Sequence, residues 1–308
     1  MDVVVVGSCM TDLVSYVPRL PTLGETLHGH KFSMGFGGKG ANQCIAASRL
    51  GASTAMVAKL GSDTFGDNYL KNFKDNNVNT EHVGQTAEAA TGVAPIAVDD
   101  KGDNSIIIVA GANHCLSRSD LEGADDLITS AKVVICQLEI KPEVTLAAMT
   151  RAKNQGVCVV LNPAPAVKRL DDAMYSSCDI FCPNETEAEI LTGTKVASIS
   201  DASAAIKALQ GKGCSTVIIT MGSQGAVFAE PGQEAKHVAA SPVNAVDSTG
   251  AGDAFVGALG YYLACMPQLT LSEKIQRSCT IASFSVERPG TQTSYRPKHE
   301  LPKELFQV

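Results

Sequence analysis

Asp247-Ser248-Thr249-Gly250-Ala251-Gly252-Asp253 sets two acids around three consecutive small residues, just before an Ala- and Gly-rich apolar run, 254–264, that predicts a helix. Residues without bulky side chains leave their backbone N–H groups open to close approach by an anion, and the positive end of the helix dipole adds to the attraction. The stretch therefore describes an anion hole. Asp253 stands at its inner edge, where a carboxylate is in reach of the proton of a hydroxyl that attacks the bound phosphorus. Phosphoryl transfer without a Walker-type loop is the chemistry this pattern implies. An ordinary capped helix start is the alternative reading of the same residues.

The rest of the chain bounds this reading. Its 308 residues suffice for one large α/β domain with appendages. With 44% hydrophobic and 19% charged residues and 27 glycines, it has the composition of a soluble globular enzyme and not of a disordered chain. A formal net charge of −7 without a basic run argues against nucleic-acid binding. The opening run Val3-Val4-Val5-Val6 is too short for a signal peptide and has no basic lead, and no stretch reaches the roughly 20 apolar residues that span a bilayer. No membrane association and a cytoplasmic location are expected, with the nucleus also open. The ten cysteines are scattered, and the closest pair, Cys178 and Cys182, has no Cys/His pair nearby to complete a zinc site. Reduced core thiols are expected.

β-branched runs alternate with Ala-rich stretches, the rhythm of a doubly wound, mainly parallel central sheet flanked by helices in a Rossmann-like three-layer α/β fold. Strands are predicted over 3–6, 54–60, 133–136, 157–161, 180–182 and 217–220, and helices over 40–50, 65–76, 142–155 and 202–209. No linker divides 1–308, which reads as a single domain. Two segments break the rhythm: 10–34 carries Pro18, Pro21 and Gly24 without a helical period, and 91–109 alternates around the turn 99–103. Both read as antiparallel strands, predicting a small β-sheet lid from about 10–34 and 91–113 over the carboxyl edge of the main sheet, where open α/β sheets bind ligands. Two ordinary surface hairpins are the alternative.

A second glycine cluster, Gly35-Phe36-Gly37-Gly38-Lys39-Gly40-Ala41-Asn42, satisfies the dinucleotide pattern Gly-x-Gly-x-x-Gly. That pattern requires an acid at the end of the next strand, where this chain has Lys59-Leu60-Gly61. Binding of NAD is disfavoured. The cluster reads instead as a place where backbone approaches a small ligand, with Lys39 and Asn42 as donors.

Together, 37–42 and 247–253 resemble the two signatures of the ribokinase family of sugar and nucleoside kinases, and the resemblance runs from residue 3 to about 294. Further likeness lies in Gly7-Ser8, Ala110-Gly-Ala-Asn113, Pro183-Asn-Glu-Thr-Glu187, Thr220-Met-Gly-Ser-Gln-Gly225 and Gly290-Thr-Gln-Thr-Ser294. Within the family it is closer to the kinases of free ribose than to adenosine kinase or fructokinase.

The resemblance implies an ATP-dependent phosphorylation of D-ribose at its 5-hydroxyl, with Asp253 as base and Gly250, Ala251 and Gly252 as the anion hole. It places Met10, Thr11, Asp12, Gly38, Lys39, Gly40, Ala41, Asn42 and Glu139 at the sugar. It assigns Asn184 and Glu187 to phosphate and hydrated Mg2+, and Thr220, Met221, Gly222, Ser223, Gln224, Gly225 and Cys279 to the nucleotide. It also implies a K+ held by oxygens of Asp247, Thr249, Ser285, Arg288, Gly290 and Ser294, and a homodimer joined through the lid. Met10 departs from the pattern, since many members carry a sugar-contacting Asn there. One lost hydrogen bond costs about 0.5–1.5 kcal/mol, so 2-deoxyribose remains open as acceptor. A nucleoside or ketose kinase of the same family, or a catalytically silent sugar-binding protein, are the other readings.

Overall fold

An uninterrupted β-branched run favours a strand buried on both faces. In the computed structural model, which describes residues 1–307, Val3–Val6 forms β1 near the middle of a ten-stranded sheet, and all four valines are fully buried. It runs parallel to β4 (Thr54–Gly61) on one side and β9 (Val133–Cys136) on the other, with Val3 opposite both Thr54 and Val133. Beyond β4 lie β5 (Val78–Asn79) and β6 (Val83–Thr86). Beyond β9 follow β10 (Cys158–Leu161), β11 (Ile180–Phe181) and β12 (Thr216–Thr220), all parallel, then the antiparallel β13 (Ala226–Ala229) and β14 (Lys236–Val238). The direction in which strands are added reverses at β1, and that reversal opens a crevice at the carboxyl ends of β1 and β9.

Alternate residues of β1 feed two cores. Val3 and Val5 pack with α1 (Lys39–Arg49), α2 (Thr64–Asp75), α9 (Ala251–Cys265) and α10 (Leu271–Ser285). Val4 and Val6 pack with α3 (Arg118–Gly123), α4 (Asp125–Thr129), α5 (Pro142–Asn154), α6 (Asp172–Ser176), α7 (Glu185–Thr192) and α8 (Ile199–Gly211). This is the expected three-layer α/β architecture. All ten cysteines are free, and seven are buried. Among the described residues no helix is long and apolar enough to cross a membrane.

A second sheet stands over the carboxyl edge in the order β3-β2-β7-β8, built from β2 (Met10–Val17), β3 (Lys31–Gly37), β7 (Val93–Asp99) and β8 (Asn104–Ile106). Each hairpin is antiparallel as predicted, but β2 and β7 join them in parallel, with Asp12 opposite Ala94. Both strands rise from the same edge of the main sheet, so they must point the same way. β3 runs on to Gly37 and takes in part of the glycine cluster, and Gly111–Cys115 is a 3-10 turn instead of lid strand. Ile106, Ile108, Phe32 and Met34 lie more than half exposed on this sheet and the segment after it, not against the chain's own core.

Helix α9 starts at Ala251 and not at 254, with Gly250 as its N-cap at φ 77°. A helix apolar on nearly all sides must be enclosed, and α9 packs between α1 and α10. The contact with α1 is close: a Cβ on Gly257 would stand 2.5 Å from the Gln43 carbonyl oxygen and 2.6 Å from Ala46 Cβ. Neither can retreat cheaply, because one is backbone and the other is fixed to it. Gly257→Ala is therefore expected to lower stability by about 1–3 kcal/mol, read as an earlier midpoint in urea unfolding. An unchanged midpoint would show that the two helices separate freely.

Candidate active site

The crevice at the carboxyl ends of the strands is walled by Lys39 from α1, Asn162 after β10, Asn184 and Glu187 at the start of α7, Thr220 at the end of β12, and Gly250, Gly252 and Asp253 at the start of α9. They enclose a cavity of about 150 Å3. Because α9 begins at Ala251, the small residues of the first motif form its start, where Gly250 and Gly252 line the cavity and Ala251 N donates to Ser248 O at 3.2 Å. Asp253 is 7% exposed and accepts a hydrogen bond on each oxygen, from Asn42 Nδ2 to Oδ2 and from Gln43 Nε2 to Oδ1, both at 2.9 Å. Gln43 is fixed in turn, donating to Asn162 Oδ1 at 3.0 Å and accepting from Gln137 Nε2 at 2.6 Å.

Asp12, on lid strand β2, lies close enough to Glu139 and Asp253 to feel their charge. Across β3, a Cβ on Gly37 would lie 2.4 and 2.5 Å from the Asp12 carboxylate oxygens, so glycine there makes the room that the acid occupies. Burial, with the charges of Glu139 and Asp253, pushes the Asp12 carboxyl up to about 6. Glu139 Oε2 accepts from Ser8 Oγ at 2.6 Å and from the Lys39 backbone N–H at 2.8 Å, which seats it at the first turn of α1. Burial alone would lower the Lys39 ammonium, but Asp253, Glu139 and Glu187 around it hold it above its ordinary value.

Not every expected residue joins this cluster. Thr11 lies on the opposite face of the lid from Asp12, by strand alternation, and lines a separate groove with Met34, Phe36 and Phe65. Met10 is buried. The Asn42 carboxamide, expected to donate to the sugar, is directed at Asp253 and at Gln292 Nε2, 3.0 Å from its Oδ1. Ala41 is enclosed in the core, Gly38 is the N-cap of α1 and Gly40 lies in its first turn.

On the other side, Asn184 and Glu187 form a capping box: Asn184 Oδ1 accepts from Glu187 N and Glu187 Oε2 accepts from Asn184 N, each at 2.8 Å. The structural role and the cavity position thus coincide. Burial raises the Glu187 carboxyl, with Asp253 and Glu185 adding to the rise and the Asn184 N–H and Lys39 opposing it. Thr220 bridges to Asn184, and Gly222–Gln224 is a 3-10 turn that Gly225 closes into β13. Met221 is buried there, whereas Ser223 and Gln224 are exposed. Cys279 sits in the core on α10, away from the cavity wall, with burial pushing its thiol up to about 12.

Behind the anion hole two loops are tied by Asp247, whose Oδ1 accepts from Thr249 N at 2.9 Å and Oδ2 from Gly290 N at 2.8 Å. Part-burial opposes ionisation, but these bonds hold its carboxyl below the ordinary range. Ser285 ends α10, Arg288 pairs with Glu300 at 3.2 Å, and Ser294 Oγ donates to Thr291 O at 2.7 Å. Among the described residues no group of three or more His, Cys, Asp or Glu side chains is placed to hold a metal. Any cation held here would rest mainly on backbone oxygens.

Ser8, Gln43, Asn162, Gln292 and Tyr295 also belong to this site. Gln43 directly follows Asn42 in the glycine cluster, and Asn162 directly follows a strand's carboxyl end, so both had a local signal. Gln292 stood in the 290–294 stretch without a role and Tyr295 had no signal, because their partners Asn42 and Gly250 lie far away in the sequence.

The model of the pfkB family carbohydrate kinases matches residues 1–298. The chain is 53% identical to mouse ribokinase over 305 residues, covering 99% of this chain and 94% of that one. It is 42% identical to a deoxyribokinase of Salmonella typhi over 295 residues, covering 96% and 95%. The structure of Arabidopsis thaliana ribokinase complexed with ribose and ATP superposes with a TM-score of 0.90 at 30% identity, covering 99% of both chains. With this fold, this crevice and a match over nearly its whole length, the chain belongs to the pfkB family of carbohydrate kinases.

Proposed function

We propose that this kinase transfers the γ-phosphoryl group of ATP to the 5-hydroxyl of D-ribose, giving ribose 5-phosphate and ADP. The observation that carries the reading is Asp253, a buried carboxylate with both oxygens oriented by α1, set in the first turn of a helix whose starting residues Gly250 and Gly252 line the same cavity. The likeness to mouse ribokinase favours ribose as acceptor. The likeness to a deoxyribokinase, together with the apolar Met10, favours 2-deoxyribose as the second reading.

Asp12 and Glu139 would accept from the sugar's hydroxyls and turn its 5-hydroxyl toward Asp253. Asp253 takes that proton as the oxygen attacks phosphorus in line with the departing ADP oxygen. Lys39 and the N–H groups of Gly250 and Gly252 stabilise the charge on the transferring group, with Ala251 joining them once its N–H leaves Ser248 O, and the Thr220–Gly225 turn supports the nucleotide. Glu187 fits a role toward hydrated Mg2+, since it is a buried acid with only one oxygen used in its capping box. The metal, with ATP, would spread phosphate charge. The loops joined by Asp247 offer hard oxygen donors that fit K+, from Asp247, Thr249, Ser285, Arg288, Gly290 and Ser294, and such an ion would order the anion hole from behind. The exposed Phe32, Met34, Ile106 and Ile108 support a homodimer joined through the lid.

Asp253→Asn should cut kcat by at least about a hundredfold while the sugar affinity stays within a few-fold. ADP release with ribose, 2-deoxyribose, fructose and adenosine measures this, and a preference for another acceptor would move the substrate assignment while leaving the base intact. Because a carboxyl raised to about 6 is protonated below that pH and then loses an acceptor, KM for the sugar should climb as pH falls through 6 and stay flat above it. The Asp12→Asn variant should lack that inflection. Replacing potassium with tetramethylammonium should lower kcat at constant ionic strength; equal rates in both salts would remove the cation from the scheme.

A further inference from the structure

The donors on Asp253 depend on which way two carboxamides face, and one of them is set from a distant part of the chain. Gln292 is 3% exposed, and its Nε2 lies 3.0 Å from both Asn42 Oδ1 and the Tyr69 hydroxyl. Two independent contacts fix its polarity. Its Oε1 accepts from Asn72 Nδ2 at 2.8 Å, and the Tyr69 hydroxyl already donates its proton to the Gly37 carbonyl, so Tyr69 can only accept from Gln292. Gln292 must therefore turn its NH2 to Asn42. Asn42, accepting there, must turn its own NH2 to Asp253. The result is a buried chain of one-way hydrogen bonds from α2 through Gln292 and Asn42 to the carboxylate.

We infer that Gln292 is a positioning residue that, through Asn42, holds Asp253 in its reactive orientation, and so makes the 290–295 segment a determinant of catalytic rate. The inference rests on the assignment of Asp253 as the base. Without the Gln292 donor the buried Asn42 oxygen loses its partner, and the carboxamide, held only by its bond to Asp253, is free to shift and carry the acid out of line with the attacking hydroxyl. The same NH2 supports Tyr69, whose bond to Gly37 steadies the strand that makes room for Asp12. Neighbours in the segment act alike: Thr291 Oγ1 donates to Phe36 O at 2.9 Å, and the Tyr295 hydroxyl donates to Gly250 O at 2.9 Å. One short stretch thus touches the lid strand, the amide that orients the base, and the anion hole.

A double-mutant cycle with Gln292→Met, which keeps the length of the side chain and removes both polar atoms, and Asn42→Ala tests this. Gln292→Met alone should lower kcat roughly ten- to a hundredfold, with sugar affinity by calorimetry changed less than about threefold. In the Asn42→Ala background the same change should cost less than about twofold. Losses that multiply, or an unchanged kcat in Gln292→Met, would overturn the proposal. The cycle runs with whichever acceptor the wild-type protein turns over, so a wrong sugar assignment does not decide it. A second readout needs no turnover: hydrogen exchange of the Asn42 side-chain amide, identified by its loss in Asn42→Ala, should be slow in the wild type and speed up at least about tenfold in Gln292→Met. Unchanged exchange would overturn the proposal even if Asp253 proved not to be the base.

Discussion

The contact on which the site depends is the approach of α1 to α9. A buried carboxylate needs donors on both oxygens, and Asp253 finds them on two consecutive residues of a helix that starts more than 200 positions earlier in the chain. Asn42 and Gln43 reach it only because the helices meet backbone to side chain at Gly257, with Ala46 and Ala47 opposite. A single added methyl group would widen that gap. Packing of small residues in the core and orientation of a reactive group at its edge are here the same constraint.

Charge supplies the second organising term. Asp253, Glu139 and Glu187 surround Lys39 and raise its ammonium against the effect of burial, while burial, with neighbouring acids adding to it, raises the carboxyls of Asp12 and Glu187. Glu139 and Glu187 are each held at a helix start by accepting an N–H group, from Lys39 in the first turn of α1 and from Asn184, the N-cap of α7, respectively. The two helix starts therefore serve the fold and hold acids in the crevice at once.

What the sequence made legible was local. Four consecutive valines specified a two-faced strand, and the alternation of strands and helices specified the three layers. The two glycine clusters marked where backbone comes close to something else, although at Gly37 that neighbour is the Asp12 carboxylate. The start of α9 was misplaced because Gly-Ala-Gly has weak helix propensity, which the burial of the whole helix overrides. The parallel join in the lid followed from two strands leaving one sheet edge, a fact of topology invisible to alternation. Gln292 and Tyr295 received no role from the sequence for the same reason: each contacts a partner that no window of sequence can bring beside it.

The central place of β1 carries a consequence for the birth of the molecule. Its first four-valine strand emerges from the ribosome early, yet one of its two flanking partners is β9, whose Val133 aligns with Val3. Until that distant strand is made, β1 can pair only with β4 and keeps an open edge and an uncovered apolar face. Nascent chains paused between these two strands would be natural clients for chaperones that bind short extended apolar segments, and the half of the sheet from β10 to β14 could be added only after β9 had inserted beside a strand already waiting for it.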